Sequence, residues 1–357
     1  MKKIYFFIGT KAQAIKCLPL IDFLSQRQCN IAIVDSGQHI KITKELFKNL
    51  SQNVQHINLS SNQENISKYF KGIIWLIKFI RFNIIPKTPN RKNEGYVSIC
   101  VVHGDTVSTL LGLLWAKRNY YKVLHLESGL TSKSILNPFP EEIIRRITSK
   151  FSDILICFDN DSYNMLASKY KYKKIFKASE NTIVETLNTN SNTIIKKMNI
   201  VTATLHRTEN LLSKKRLESF IKLLEKLSER FVVNWYMHEP TINAIEKFKM
   251  NIGKNINTHN LLNHEDFVRE LKKSKIVITD GGSIQEECFY LGNTTLIWRQ
   301  TTERPYALND SMYISSFDIE KSYEFIINNI DKNRNYLTHN YSPSEEIYTY
   351  LLRNNLI

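Results

Sequence analysis

The 357-residue chain lacks the marks of several protein classes. Its five cysteines, Cys17, Cys29, Cys100, Cys157 and Cys288, are odd in number and scattered, and none forms a CxxC pair. A disulfide framework is therefore not expected. A chain this long buries its own core without staples, which suits a reducing cytoplasm. Glycine, at 11 residues, is far below the collagen-like third, and the 42% hydrophobic content excludes a disordered chain. The apolar segment Ile73 to Ile85 is too short to cross a bilayer, which takes about 20 residues. It also carries Lys78 and Arg81. A core helix followed by a loop over 86–93 is the favoured reading, ahead of an interfacial helix touching membrane or a lipid-linked glycan. The N-terminal apolar stretch is interrupted by Gly9, Thr10, Lys11 and Gln13, and no small-residue cleavage site follows.

Acidic residues are also scarce, 34 against 49 lysines and arginines, for a net charge of +15. The positive charges stand singly or in pairs such as Lys2-Lys3 and Lys272-Lys273. No aromatic-interleaved basic motif and no zinc-ligand spacing accompanies them, so neither a nucleic-acid partner nor a metal is expected.

What is present is a repeating grammar. Ile4–Ile8, Ile31–Val34, Ser98–Val102, Val123–Leu126 and Ile154–Cys157 read as buried strands, with helical runs at Gln13–Gln26 and Val107–Lys117. The second half repeats it with strands at Ile200–Leu205, Phe231–Met237, Ile276–Thr279 and Thr295–Trp298 and a helix at Ile284–Leu291. Apolar strands alternating with helices predict parallel sheets covered on both faces. The fold class is α/β, with two doubly wound Rossmann-like domains facing a cleft. Residues 1–185 and 186–340 are the expected domains, within a polar separator at 171–197, and 341–357 a C-terminal helix able to return to the first domain.

Polar clusters gather at strand ends, where open α/β sheets bind ligands. They are Gly9-Thr10-Lys11, Gln38-His39, His103-Gly104-Asp105, His125 with Glu127, His206-Arg207 and Asp280-Gly281-Gly282-Ser283. Gly281, Gly282 and Ser283 open a helix whose N-terminus suits a phosphate, although an ordinary strand-to-helix turn reads the same way. Glu287 follows one turn on, where a carboxylate can accept ribose hydroxyls or simply favour the helix dipole. Arg304 offers a guanidinium that fits a diphosphate or a surface ion pair. Asp105, Glu127, Glu141 and His206 supply the paired titratable groups that proton removal from carbon requires. Taken singly, Asp105 reads equally well as a helix N-cap, and His206 as a turn histidine.

With these residues the sequence resembles the bacterial non-hydrolysing UDP-N-acetylglucosamine 2-epimerases of the glycosyltransferase-B superfamily. The carriers are Gly9-Thr-Lys-Ala-Gln-Ala-Ile-Lys16, Ser36-Gly-Gln-His39, Val102-His-Gly-Asp-Thr106, His125-Leu-Glu-Ser-Gly-Leu130 and Asn137-Pro-Phe-Pro-Glu-Glu142. Further along they are Leu205-His-Arg-Thr-Glu-Asn210, Thr279-Asp-Gly-Gly-Ser-Ile-Gln-Glu-Glu287 and Thr301-Thr-Glu-Arg-Pro305. The resemblance implies the GT-B fold, a homodimer and a UDP-sugar substrate, with no cofactor. It puts Phe267 at the uracil, Glu287 at the ribose, and Gly281, Gly282 and Arg304 at the diphosphate, with Thr10, Lys11, Lys16 and Ser283 also on the substrate. Asp105, Glu127, Glu141 and His206 match the catalytic set, which removes the C2 proton, expels UDP to leave a glycal, and re-adds it. Gln38, His39 and His238 match the region where some bacterial members hold a second, allosteric UDP-sugar.

Several phosphate contacts are redecorated. The family's Arg-Pro-Glu reads Lys11-Ala12-Gln13, its Gly-Leu-Arg reads Gly129-Leu130-Thr131, and its Ser-Gly-Gly reads Gly281-Gly282-Ser283. The alternatives are a GT-B glycosyltransferase with a glycan or lipid-linked acceptor, a hydrolysing 2-epimerase that releases free sugar, and a UDP-sugar sensor without catalysis. Retention of the four acid/base residues speaks against the last.

Overall fold

The computed structural model describes residues 2–37, 47, 50, 54–59, 76–84, 98–131, 140–187, 197–308, 310–330 and 342–357. The chain divides into two compact units, Met1–Thr186 with Asn340–Ile357, and Leu187–His339.

The first unit runs β1 (Lys3–Ile8), α1 (Lys11–Gln26), β2 (Asn30–Asp35), β3 (Gln55–Asn58), β4 (Ile99–His103), α2 (Val107–Arg118), β5 (Lys122–Leu126), α3 (Glu141–Phe151), β6 (Ile154–Cys157), α4 (Asn160–Lys169), β7 (Lys174–Lys177) and α5 (Ile183–Leu187). Its strands form one parallel sheet in the order β3-β2-β1-β4-β5-β6-β7. The central strands are apolar on both faces because helices cover both: Phe6, Ile33, Leu124 and Ile156 pack in one core cluster, and Phe7, Cys100, Val102 and Val123 in another. Chain direction from β1 splits between β2 and β4, and this switch point gathers the carboxyl ends of β1, β4 and β5.

Residues 76–84 are helical. Phe79 is buried, its ring edge-on to Phe7 at 6.0 Å, which is the role of a core helix, while Ile77 stays exposed. Residues 73–75 and 85–93 of that segment lie outside the described residues.

The second unit runs β8 (Met198–Ala203), α6 (Thr208–Leu211), α7 (Lys214–Ser228), β9 (Val232–Met237), α8 (Glu239–Phe248), β10 (Ile256–Asn260), α9 (His264–Lys273), β11 (Ser274–Thr279), α10 (Gly282–Tyr290), β12 (Thr294–Ile297), β13 (Met312–Ile314) and α11 (Ile319–Asn329). Its parallel sheet has the order β10-β9-β8-β11-β12-β13, with the switch point between β8 and β11. Trp235, Trp298 and Phe220 fill its core, the phenyl ring 5.3 Å and 5.6 Å from the two indoles. The last helix, α12 (Pro343–Arg353), belongs to the first unit. Its Ile347 and Leu351 share a core with Leu20 and Leu24 of α1, and Tyr348 meets Phe23 edge-on at 5.7 Å.

Four strands escape a reading that looks for apolar runs: β3, β7, β10 and β13. β3 and β10 expose most of their residues, as edge strands do, β7 is bounded by lysines and has no fully buried residue, and β13 has only three residues. β7 and α5 lie inside the polar stretch expected to separate the domains, so that stretch is largely part of the first unit.

Candidate functional site

Each unit carries its own polar cluster at the switch point of its sheet. In the first, Thr10 is the N-cap of α1 and its hydroxyl accepts from Gln13 N at 3.3 Å. Gln13 is buried and fully engaged. Its Oε1 accepts from Gly9 N at 2.9 Å and Ser108 Oγ at 2.9 Å, and its Nε2 donates to the carbonyl of His103 at 2.9 Å and to Thr109 Oγ1 at 2.9 Å. One neutral side chain thus ties the turn after β1 to the turn after β4. Lys11, at the start of α1, is half-buried.

Lys16, one turn further, is buried and bonds Glu127 Oε1, which also accepts from Asn181 Nδ2 at 2.9 Å. Asn181 is held by its neighbour, because the Thr182 hydroxyl donates to the carbonyl of Lys16 at 2.5 Å. The other Glu127 oxygen, Oε2, lies 4.0 Å from His103 Nδ1. Glu127 adopts a left-handed backbone, φ 59°, rare for a residue with a side chain; such strain gathers where function holds it.

Asp105 is not a helix cap: Thr106 is the N-cap of α2. The Asp105 carboxylate instead pairs with Arg145 of α3, whose other arm is 3.4 Å from Glu142. Glu142 also takes Arg146 Nε at 3.1 Å and the hydroxyl of Thr131 at 2.6 Å. Glu141 opens α3, with its Oε2 out of solvent and without a hydrogen-bond partner among the described residues. Beneath this layer the ring of His125 is buried, its Nε2 2.8 Å from the carbonyl of Gly104. Burial disfavours its charged form and pushes its pKa down to about 4.

In the second unit Asp280 is the hub. It is buried and accepts from the backbone of His206 at 3.1 Å and of Arg207 at 2.8 Å, and from Asn210 Nδ2 at 2.9 Å. His206 Nδ1 also stands 3.1 Å from Asp280 Oδ1, close enough for a charge contact but outside hydrogen-bond geometry. Burial alone would raise the Asp280 pKa. The neighbouring His206 foremost, with the hydrogen bonds from Arg207 and Asn210, overrides it and holds the carboxyl at about 2. His238 packs beside His206, ring centres 4.7 Å apart. Gln38 and His39, expected with it at a second site, lie outside the described residues.

Gly281 caps α10 with no side chain of its own, and its N–H donates to Thr279 Oγ1 at 3.0 Å. Both glycines answer to packing. A Cβ at Gly281 would press on His206 Cε1 at 2.9 Å, and one at Gly282 would collide with the Arg304 guanidinium. Ser283 follows as the second helical residue and is partly exposed. Arg304 is buried against Glu303 at 2.9 Å and near Glu286 at 3.5 Å. Burial would raise the Glu303 pKa. Arg304, with Arg299 at 2.6 Å and Arg207 at 3.8 Å, instead holds that carboxyl far below the usual range. Gln285 laces the loop to the helix, donating to the carbonyl of Arg304 at 3.1 Å and accepting from Thr302 at 2.6 Å. Glu287 is buried beside His264, and Phe267 stands edge-on to Tyr236 at 5.7 Å.

The structure therefore gathers Lys16, Asp105 and Glu127, with Thr10 close by, at one switch point. It gathers His206, Gly281, Gly282 and Arg304 at the other, with Glu287 one turn into α10 and Phe267 on α9. The sequence reading gave no role to Arg145, Glu142, Asn181, Asp280, Glu303 or His264, all of which engage these groups. Among the described residues no cluster of metal-ligating side chains occurs, and no helix is long and apolar enough to cross a membrane.

The family profile described as UDP-N-acetylglucosamine 2-epimerase matches residues 23–350. The chain is 28% identical over 336 residues to a Campylobacter jejuni UDP-N-acetylglucosamine 2-epimerase, covering 86% of this chain and 84% of the relative. It is similar to a solved S. aureus structure described as an MnaA-UDP co-structure, at 25% identity and TM-score 0.73, covering 100% of this chain and 98% of that one. It shares the fold of the Methanocaldococcus jannaschii UDP-GlcNAc 2-epimerase solved with UDP-GlcNAc and UDP, with TM-score 0.79 at 24% identity, covering 98% and 99% of the two chains. With a profile match over most of its length and two doubly wound parallel sheets of the GT-B class, the chain belongs to the UDP-N-acetylglucosamine 2-epimerase family and is an epimerase.

Proposed function

We propose that this enzyme interconverts UDP-GlcNAc and UDP-ManNAc, or a UDP-N-acetylhexosamine with other ring substituents, by eliminating and re-adding UDP. The observation that carries the reading is a pair of carboxylates on adjacent strand ends, each fixed by its own cation: Asp105 by Arg145 and Glu127 by Lys16. Inversion at C2 needs a group that takes the proton from one face and a group that returns it on the other. In this reading Asp105, Glu127, Glu141 and His206 share those tasks. As the C2–H bond breaks, its electron pair becomes the C1–C2 double bond and the C1–O bond to UDP breaks. The departing diphosphate gathers negative charge, which Arg304 and the N-terminus of α10 are suited to stabilise. Phe267 and Glu287 would hold uracil and ribose, and Thr10, Lys11, Lys16 and Ser283 the rest of the substrate. The same reading makes the enzyme a cytoplasmic homodimer supplying an N-acetylmannosamine-type sugar to surface polysaccharide.

Incubation with UDP-GlcNAc in heavy water tests it. Deuterium at C2 of recovered UDP-sugar is the expected result. Free sugar and UDP would mean a hydrolysing enzyme, and transfer only on addition of an acceptor would mean a glycosyltransferase.

A further inference from the structure

α9 and α10 share a side-chain contact for which the reaction gives no direct reason. His264, the first residue of α9, has its Nε2 2.9 Å from Glu287 Oε1. Glu287 is 3% exposed, and its second oxygen, Oε2, has no hydrogen-bond partner among the described residues. A buried acceptor left bare is costly, so a carboxylate with one oxygen tied and the other open is built to receive a donor from a ligand.

The position of His264 is itself determined. Asn263 caps α9, accepting from Asp266 N at 2.9 Å and donating to the Asp266 carboxylate at 2.7 Å, so the first turn is anchored. His264 is mostly buried, with its side chain 16% exposed. Phe267 lies three residues on, on the same helical face. One turn of α9 therefore carries both the aromatic ring beside Tyr236 and the donor on Glu287.

We propose that His264 is a positioning residue for nucleotide recognition: its Nε2–H fixes the Glu287 carboxylate so that Oε2 meets the ribose hydroxyls. This rests on the reading of Glu287 as the ribose acceptor. A glutamate has three rotatable bonds, and ordering it at the moment of binding costs affinity; a carboxylate already held by a donor avoids that cost. The imidazole touches no ligand in this account and acts through Glu287 alone.

Calorimetric titration with UDP and with 2′,3′-dideoxy-UDP, which lacks both hydroxyls, separates this role from a merely structural one. Wild type is expected to prefer UDP. His264→Ala should weaken UDP binding roughly 5- to 20-fold, the scale of one misplaced charge-assisted hydrogen bond, and leave the dideoxy analogue within about twofold. His264→Gln, whose amide nitrogen can still donate, should recover most of the preference. The double variant with Glu287→Gln should bind UDP no more weakly than Glu287→Gln alone. Equal loss of both ligands in His264→Ala, or an undiminished preference for UDP, overturns the proposal. If Glu287→Gln keeps the full preference, the ribose assignment itself falls and takes this proposal with it. That result is distinct from one in which Glu287 matters and His264 does not.

Discussion

Arg145 of α3 reaches Asp105 at the end of β4 while its other arm lies 3.4 Å from Glu142. A guanidinium that is itself buried thus spans one carboxylate at the sheet's switch point and one on its own helix. The consequence is a fixed orientation for Asp105, which is partly open to solvent and would otherwise be free to turn. The planar fork of Arg suits this double attachment in a way that a lysine ammonium does not.

Replacing Arg145 with Met should therefore harm both fold and chemistry. Glu142 would keep Thr131 and Arg146 but lose its buried cation, and breaking such a pair typically costs about 3 kcal/mol or more. Urea unfolding should show that loss, whereas Asp105→Asn, at a more open position, should shift the midpoint far less. Equal stability of Arg145→Met and wild type would mean that the pair does not hold the site.

Arg304→Ala should weaken UDP binding roughly 10- to 100-fold, by deleting a charge-assisted contact to the diphosphate. Glu303 keeps Arg299 at 2.6 Å, so the loop should remain folded. Arg304→Lys should recover charge without the fork and fall between the two. Calorimetric titration with UDP reads all three, and unchanged affinity in Arg304→Ala would remove it from the nucleotide site.

Much of this was legible in the sequence because the ends of buried parallel strands are marked twice, by an apolar run and by the polar turn that follows. That is how Asp105, Glu127, His206 and the Gly281-Gly282 turn could be singled out. The pairing of Arg145 with Glu142 is hidden because charges three apart on a helix ordinarily describe a solvated face. Here the buried face of α3 is itself polar, with Glu142, Arg145, Thr148 and Ser149 all turned inward. Within the sequence only their helical spacing hints at it. The contact made by Asn181 is hidden for a different reason: the residue follows a lysine-rich polar stretch, and its partner is 54 positions away. Edge strands such as β7 stayed invisible because one exposed side removes the need for an apolar run.

Acid should destabilise the protein in two separate windows. His125 is buried and its pKa falls from 6.5 to about 4 in the folded state. Between those values the unfolded chain binds the extra proton, so stability falls as pH drops from 6.5 to about 4, by about 3 kcal/mol in all. Asp280 moves from 3.8 to about 2, and its contribution, about 2 kcal/mol, is present above pH 3.8 and lost as pH falls toward 2. Urea unfolding of His125→Gln should lose most of the slope in the upper window and leave the lower one in place. An unaltered slope would show that His125 is not the group responsible.

The sharpest expectation concerns Asp105 and Glu127 themselves. Asp105→Asn and Glu127→Gln keep volume and most hydrogen-bond geometry while removing the charge and the basicity. Glu127 is the more constrained: it bonds Lys16 and Asn181 and holds a left-handed backbone, so Glu127→Gln leaves the Lys16 ammonium facing an amide. Some loss of stability is expected there and little at Asp105. The chemistry should suffer in both, since a general acid or base typically contributes about 10²–10⁴-fold. UDP binding should survive, because its proposed contacts, Phe267, Glu287 and Arg304, belong to the other unit. The decisive comparison is the rate of C2 deuterium exchange against UDP affinity, variant by variant. Exchange that collapses while UDP still binds assigns both carboxylates to the proton transfers. Exchange that persists in either variant removes that residue from the catalytic set, and joint loss of exchange and UDP affinity would recast it as a binding group.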